Sequence, residues 1–160
     1  MSLLEIKDVN ISYHTPTKTV YAVQDVSLNV EEEDSVGIVG ESGSGKSTLA
    51  MGILRLLPEN ITEIEGQAVL NGKDLLSLSR KELNEVRWVD ISVVFQKAMN
   101  ALSPVHRIGE QMEDIYHVHF PNTPKAEVKK RIYELLKMVN LSERVYSSYP
   151  HELSGGMMQR

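Results

Sequence analysis

The stretch Ser35-Val36-Gly37-Ile38-Val39-Gly40-Glu41-Ser42-Gly43-Ser44-Gly45-Lys46-Ser47-Thr48 decides how the rest of the chain is read. Val36, Ile38 and Val39 form a short apolar run, the pattern of a strand buried on both faces of a parallel sheet. Gly40, Gly43 and Gly45 follow, and they permit a turn whose amides face inward as an anion nest. Thr48-Leu49-Ala50-Met51 then opens a helix, whose free N–H groups and dipole favour negative charge at the same place. The spacing is G-x-x-x-x-G-K-[ST], a phosphate-binding loop, with Lys46 for the outer phosphates and the Ser47 hydroxyl placed for Mg²⁺.

Outward from that loop, the chain alternates strands and helices. Leu4 to Tyr13 and Val20 to Val30 read as strands, with His14-Thr15-Pro16-Thr17-Lys18 as the turn between them. They predict an antiparallel layer beside a parallel core. The helix begun at Ser47 carries Leu49, Ile53, Leu54 and Leu57 and is closed by Pro58. Gly66 to Leu70 is a further strand, followed by the tight-turn pair Asn71-Gly72. Ser79 and Glu82 have the spacing of a capping box, ahead of a short helix with Leu83 and Val86. Ile91 to Phe95 reads as a second buried strand, parallel to the first.

Beyond Pro104 the pattern becomes helical. Ile108, Met112 and Ile115 share one face of a helix that Pro121 ends. Thr123-Pro124 reads as a cap and first helical position, and Val128, Ile132, Leu135, Leu136 and Val139 form the stripe that follows. The expected organisation is an α/β core with an antiparallel layer over residues 1–104 and a helical subdomain over 105–160. Ser154 in Leu153-Ser154-Gly155-Gly156-Met157-Met158-Gln159-Arg160 is a good helix cap and would expose backbone amides at a second helix start.

Composition bounds the function. A chain of 160 residues with 41% apolar residues can bury a core. A net charge of −5 argues against a nucleic-acid-binding face. With no cysteine there is no disulfide, thiolate metal site or thiol nucleophile. No apolar run approaches the roughly 20 residues that span a bilayer, and Met1-Ser2-Leu3-Leu4-Glu5 lacks the features of a signal peptide. His117 and His119 have no neighbouring third ligand type and read as part of a solvated helix face.

Taken together, the loop at Gly40–Ser47 and the terminal LSGGMMQR resemble the nucleotide-binding subunits of ABC transporters, as their Walker A and signature motifs. Met157 stands where the family usually has glutamine. VFQKAMNALSPVHRIGEQ is similar to the corresponding region of peptide importer ATPases, and GIVGESGSGKS is close to that group, which also includes nickel uptake. The resemblance implies a P-loop NTPase fold with an antiparallel β layer and a helical subdomain. It implies ATP and Mg²⁺, held by Tyr13, Gly40, Ser42, Gly43, Ser44, Gly45, Lys46, Ser47 and Thr48. Tyr13 would stack on adenine. Lys46 and Gln96 would act in catalysis, and Ser47 and Gln96 would bind Mg²⁺. Ser154, Gly155 and Gly156 would cap, in trans, the ATP of a second subunit, identical or different.

Further expectations follow from the resemblance. The partners would be transmembrane permease subunits and, indirectly, a substrate-binding protein. The location would be cytoplasmic, on the inner face of the membrane. In this family the Walker B aspartate, the catalytic glutamate and the switch histidine follow the signature motif. Arg160 is the last residue here, so the chain is expected to be the N-terminal part of a longer subunit, with negligible turnover alone. Two other readings stay open: a non-transport ABC ATPase acting on ribosomes or DNA, and a nucleotide-binding fragment without activity. A long coiled coil between the two motifs would mark the DNA type, and paired domains with basic linkers the ribosomal type.

Overall fold

The structure, a computed structural model, describes residues 2–95 and 101–160. The chain divides into two compact units, Met1–Ser92 and Val93–Arg160.

The first unit is built on a four-stranded antiparallel sheet. Its strands are β1 (Ser2–His14), β2 (Thr19–Glu31), β3 (Thr62–Leu70) and β4 (Lys73–Asp74), in the order β2-β1-β3-β4. β1 is central: Ile6 pairs with Leu28 on one side and Ala68 on the other, and Ile11 pairs with Val23 and Ile64. Alternation, reset by register shifts between Ile6 and Ile11, puts Ile6, Ile11, Val23, Ala68 and Leu70 on the buried face. Against that face lie α1 (Lys46–Ile53), through Leu49 and Ile53, and α2 (Arg80–Val86), through Leu83 and Val86. Each such aliphatic side chain contributes about 2 kcal/mol by leaving water. Gly52 lets α1 approach β1 closely, since a Cβ there would lie 2.3 Å from Ile11 Cδ1.

Local chemistry sets the ends of these elements. Asn71 and Gly72, with φ of 49° and 79°, make the β3–β4 turn with left-handed angles at both central residues. Ser79 Oγ accepts from the Glu82 amide, and the Glu82 carboxylate accepts from the Ser79 amide, so the expected capping box is complete. Arg87 closes the other end of α1: its Nε donates to Leu54 O at 3.0 Å and its Nη2 to Arg55 O at 2.8 Å. One irregularity had no counterpart in the sequence reading. Asp8 on β1 and Asp25 on β2 both have positive φ, and the register shifts beside them. Gly66 on β3 faces this point, where a Cβ would lie 2.6 Å from Asp8 O. Ser27 Oγ donates to Asp8 Oδ1 at 3.0 Å, which secures the bulge.

The expected parallel core strands do not form in this chain. Residues 35–39 have no regular structure, and Val39 is 93% exposed. Of Ile91 to Phe95, only Ile91 pairs, in an isolated parallel bridge with Arg87, and Val94 is 87% exposed. A parallel strand is stable only between neighbours that share its hydrogen bonds and cover its faces. Among the described residues the sheet runs β2-β1-β3-β4 and includes neither segment.

The second unit is helical. It contains α3 (Ile108–His119), α4 (Lys125–Met138) and α5 (Gly155–Met158), with 3₁₀ turns at Glu143–Ser147 and Pro150–Glu152. Ile108, Val128, Ile132, Leu136 and Val145 form its core. The expected stripe on α4 is present, although Val139 lies outside the helix and is exposed. Pro124 precedes the helix instead of opening it: its ψ of 140° is extended, and its carbonyl accepts from the Glu127 and Val128 amides. The cap therefore sits one residue later than Thr123. Ile115 is exposed instead of packed. No helix among the described residues is long and apolar enough to cross a membrane.

Candidate functional site

The phosphate loop sits at the start of α1. Gly45 caps the helix with φ of 90°, in the left-handed region. A Cβ there would lie 2.3 Å from Ala22 O, so both the angle and the space demand glycine. Leu49 N–H donates to Gly45 O at 2.8 Å and is the first helical hydrogen bond. The amides of Lys46, Ser47 and Thr48 precede it and have no acceptor within the helix. Gly43, with φ of 83°, continues the left-handed turn. Gly43 and Gly45 thus both take the left-handed angles that the glycine spacing predicts.

The loop is cross-braced by its own lysine. Lys46 Nζ donates to Gly40 O at 2.8 Å, to Ser44 Oγ at 3.0 Å and to Glu41 O. The ammonium thus spans the mouth of the loop from the helix side. Ser42, Gly43, Ser44 and Ser47 are exposed, whereas Gly45 and Lys46 are half-buried. A groove of about 420 Å³ is lined by Gly40, Ser44, Gly45 and Lys46 together with Val26, Leu28 and Val39.

Tyr13 belongs to the same neighbourhood. Its hydroxyl donates to Thr48 Oγ1 at 3.5 Å, joining the end of β1 to the first turn of α1. No local pattern announces this contact, which spans 35 residues. Gln96 lies outside the described residues. Ser154, Gly155 and Gly156 belong to the second unit. Ser154 caps α5, its Oγ accepting from the Met157 amide at 3.3 Å, and all three residues are exposed. Just ahead of them, the Tyr149 and His151 rings stack at 5.6 Å, and the Arg107 guanidinium lies 4.8 Å from the centre of the Tyr149 ring. Among the described residues, no group of three His, Asp or Glu side chains gathers as a metal site.

The family described as ABC transporter matches residues 23–160. The chain belongs to the ABC transporter family. It is 40% identical over 161 residues to the oligopeptide transport ATP-binding protein OppD of Escherichia coli, covering 99% of this chain and 47% of that protein. It is 38% identical to the probable peptide ABC transporter ATP-binding protein y4tR of Sinorhizobium fredii, covering 99% of this chain and 48% of that protein. A solved structure, the dimeric post-hydrolysis state of the ATP-binding cassette MJ0796 bound to ADP and Pi, superposes with a TM-score of 0.78. It is 30% identical, over 97% of this chain and 65% of that chain. The chain thus spans about half the length of the curated relatives it matches. The fold is that of the ABC ATPase cassettes, an α/β P-loop architecture with an antiparallel layer and a helical subdomain.

Proposed function

We propose that this chain is the nucleotide-binding part of an ATP-hydrolysing subunit that powers import of oligopeptides or dipeptides. The observation that carries the reading is the loop at Gly40–Ser47, where a left-handed Gly45, free amides and Lys46 converge at the start of α1. The peptide-transport names of the relatives support the substrate class.

Each residue has a role in that reading. The amides of Gly43 to Thr48 hydrogen-bond the β- and γ-phosphates of ATP, with Gly40 and Ser42 shaping the turn. Lys46 leaves its loop carbonyls and neutralises the outer phosphates, which lowers the cost of charge developing there during transfer. Tyr13 stacks on the adenine. Ser47 and Gln96 hold Mg²⁺, since hydroxyl and amide oxygens are the hard donors that ion prefers. Bound there, Mg²⁺ supplies further neutralisation of the phosphate oxygens.

The functional unit is a pair of such subunits, identical or mixed. Ser154, Gly155 and Gly156 of one subunit cap the ATP of the other, and closure of the pair drives transmembrane permease subunits fed by a substrate-binding protein. Residues 1–104 act as the nucleotide-binding core and 105–160 as the signature subdomain. The subunit works on the cytoplasmic face of the membrane, without nucleic acid. Calorimetry tests the reading: Lys46→Ala is expected to abolish ATP binding, and unchanged affinity would refute it.

A further inference from the structure

We propose that His14 is a positioning residue for Tyr13, holding the aromatic ring in place by tying together the ends of three strands. The inference rests on the reading of Tyr13 as the residue that stacks on the base. His14 closes β1. Its Nε2 lies 2.8 Å from Glu63 Oε2 on β3, and its Nδ1 lies 3.1 Å from Thr19 Oγ1 on β2. Ser12 Oγ, two residues back on β1, is 3.3 Å from the same Nε2. The His14 amide donates to Ile61 O at 2.7 Å, just ahead of β3. One imidazole therefore reaches both neighbours of the central strand.

Tyr13 is bounded by the same pairs. It stands opposite Val20 on β2 and Thr62 on β3, residues that adjoin Thr19 and Glu63. Side chains alternate along a strand, so the His14 ring lies on the sheet face opposite the Tyr13 ring. His14 does not touch the base. It acts on Tyr13 through the backbone they share. The Tyr13 hydroxyl in turn meets Thr48 Oγ1 at the start of α1.

Magnitude separates this role from a merely stabilising one. The His14 and Glu63 side chains are 48% and 59% exposed, and ion pairs between exposed groups add little to global stability. Strand ends, by contrast, fray readily unless tied. Loss of the tie therefore acts locally, on the ring and on affinity for the base.

Calorimetry with ATP and with inorganic tripolyphosphate separates the base from the phosphate grip. His14→Ala is expected to weaken ATP about five-fold, the scale of a lost net hydrogen bond, while tripolyphosphate binds as before. Thr19→Val, which removes only the hydroxyl facing Nδ1, is expected to give part of that loss. His14→Gln, which keeps an N–H donor for Glu63, is expected to recover most of it. Unchanged ATP affinity in His14→Ala, or equal losses for both ligands, overturns the proposal. Tyr13→Ala is the control. If it weakens ATP while His14→Ala does not, only the positioning role fails. If it leaves ATP affinity unchanged, the base-stacking reading fails and the positioning role with it.

Discussion

The Tyr146 hydroxyl donates to the Glu113 carboxylate, fastening the 3₁₀ turn at Glu143–Ser147 to α3. The hydrogen bond, reinforced by burial, pushes the tyrosine up from 10.0 to about 12. A raised acid contributes stability while it stays protonated. That contribution is complete below the unfolded value of 10.0 and is lost as pH climbs through about 12. Urea unfolding measured on both sides of that window is expected to show stability falling across it. Tyr146→Phe is expected to be less stable at neutral pH and to lack that fall.

Gly109 sets how closely α3 meets the same tyrosine. Helix propensity alone favours Gly109→Ala by up to about 1 kcal/mol. A Cβ at this position would lie 2.4 Å from Tyr146 Cδ2, however, and a ring packed on two sides has little room to retreat. Overpacking of this kind costs about 1–3 kcal/mol, so the substitution is expected to destabilise. Chemical denaturation of Gly109→Ala reads the sign directly.

Arg87 carries a comparable burden in the first unit. Its guanidinium satisfies carbonyls of Leu54 and Arg55 that α1 leaves without helical partners. Charged hydrogen bonds of this type are worth about 1.5–3 kcal/mol, and Arg87→Ala is expected to lose about 2 kcal/mol of that in equilibrium unfolding. Arg87→Lys is expected to restore only a fraction, because an ammonium cannot reproduce the planar fork.

Gly45→Ala tests the loop itself. An L-residue held at positive φ costs about 1–2 kcal/mol, and the contact with Ala22 O forces the backbone to move as well. Both ATP affinity and melting temperature are expected to drop, whereas Lys46→Ala is expected to remove affinity with a smaller change in melting. Parallel calorimetry and thermal unfolding distinguish the two.

Much of this was legible from local chemistry. The capping box at Ser79 and Glu82, the Asn71-Gly72 turn and the α4 stripe are short-range patterns, and the structure reproduces them. The left-handed angles at Gly43 and Gly45 were legible in the same way, because positive φ is a property of the glycines themselves. The apolar runs at 36–39 and 91–95 were misread as formed strands. Their side chains suit a buried strand, but pairing depends on partners that periodicity cannot report. The bulge at Asp8 and Asp25 and the contact of Tyr13 with Thr48 also escaped, since each depends on residues distant in sequence. Met157 at the family's glutamine position does not disturb the Ser154 cap, because the cap uses only its backbone amide.

The bare segment at 36–39 has a practical side. No backbone hydrogen bond joins it to another described residue, and Val36, Ile38 and Val39 all face water. An apolar ribbon with vacant amides is a template for a copy of itself. Kept in isolation, the chain will stick to its own kind as concentration rises, and light scattering will register clumping long before any assay detects lost ligand.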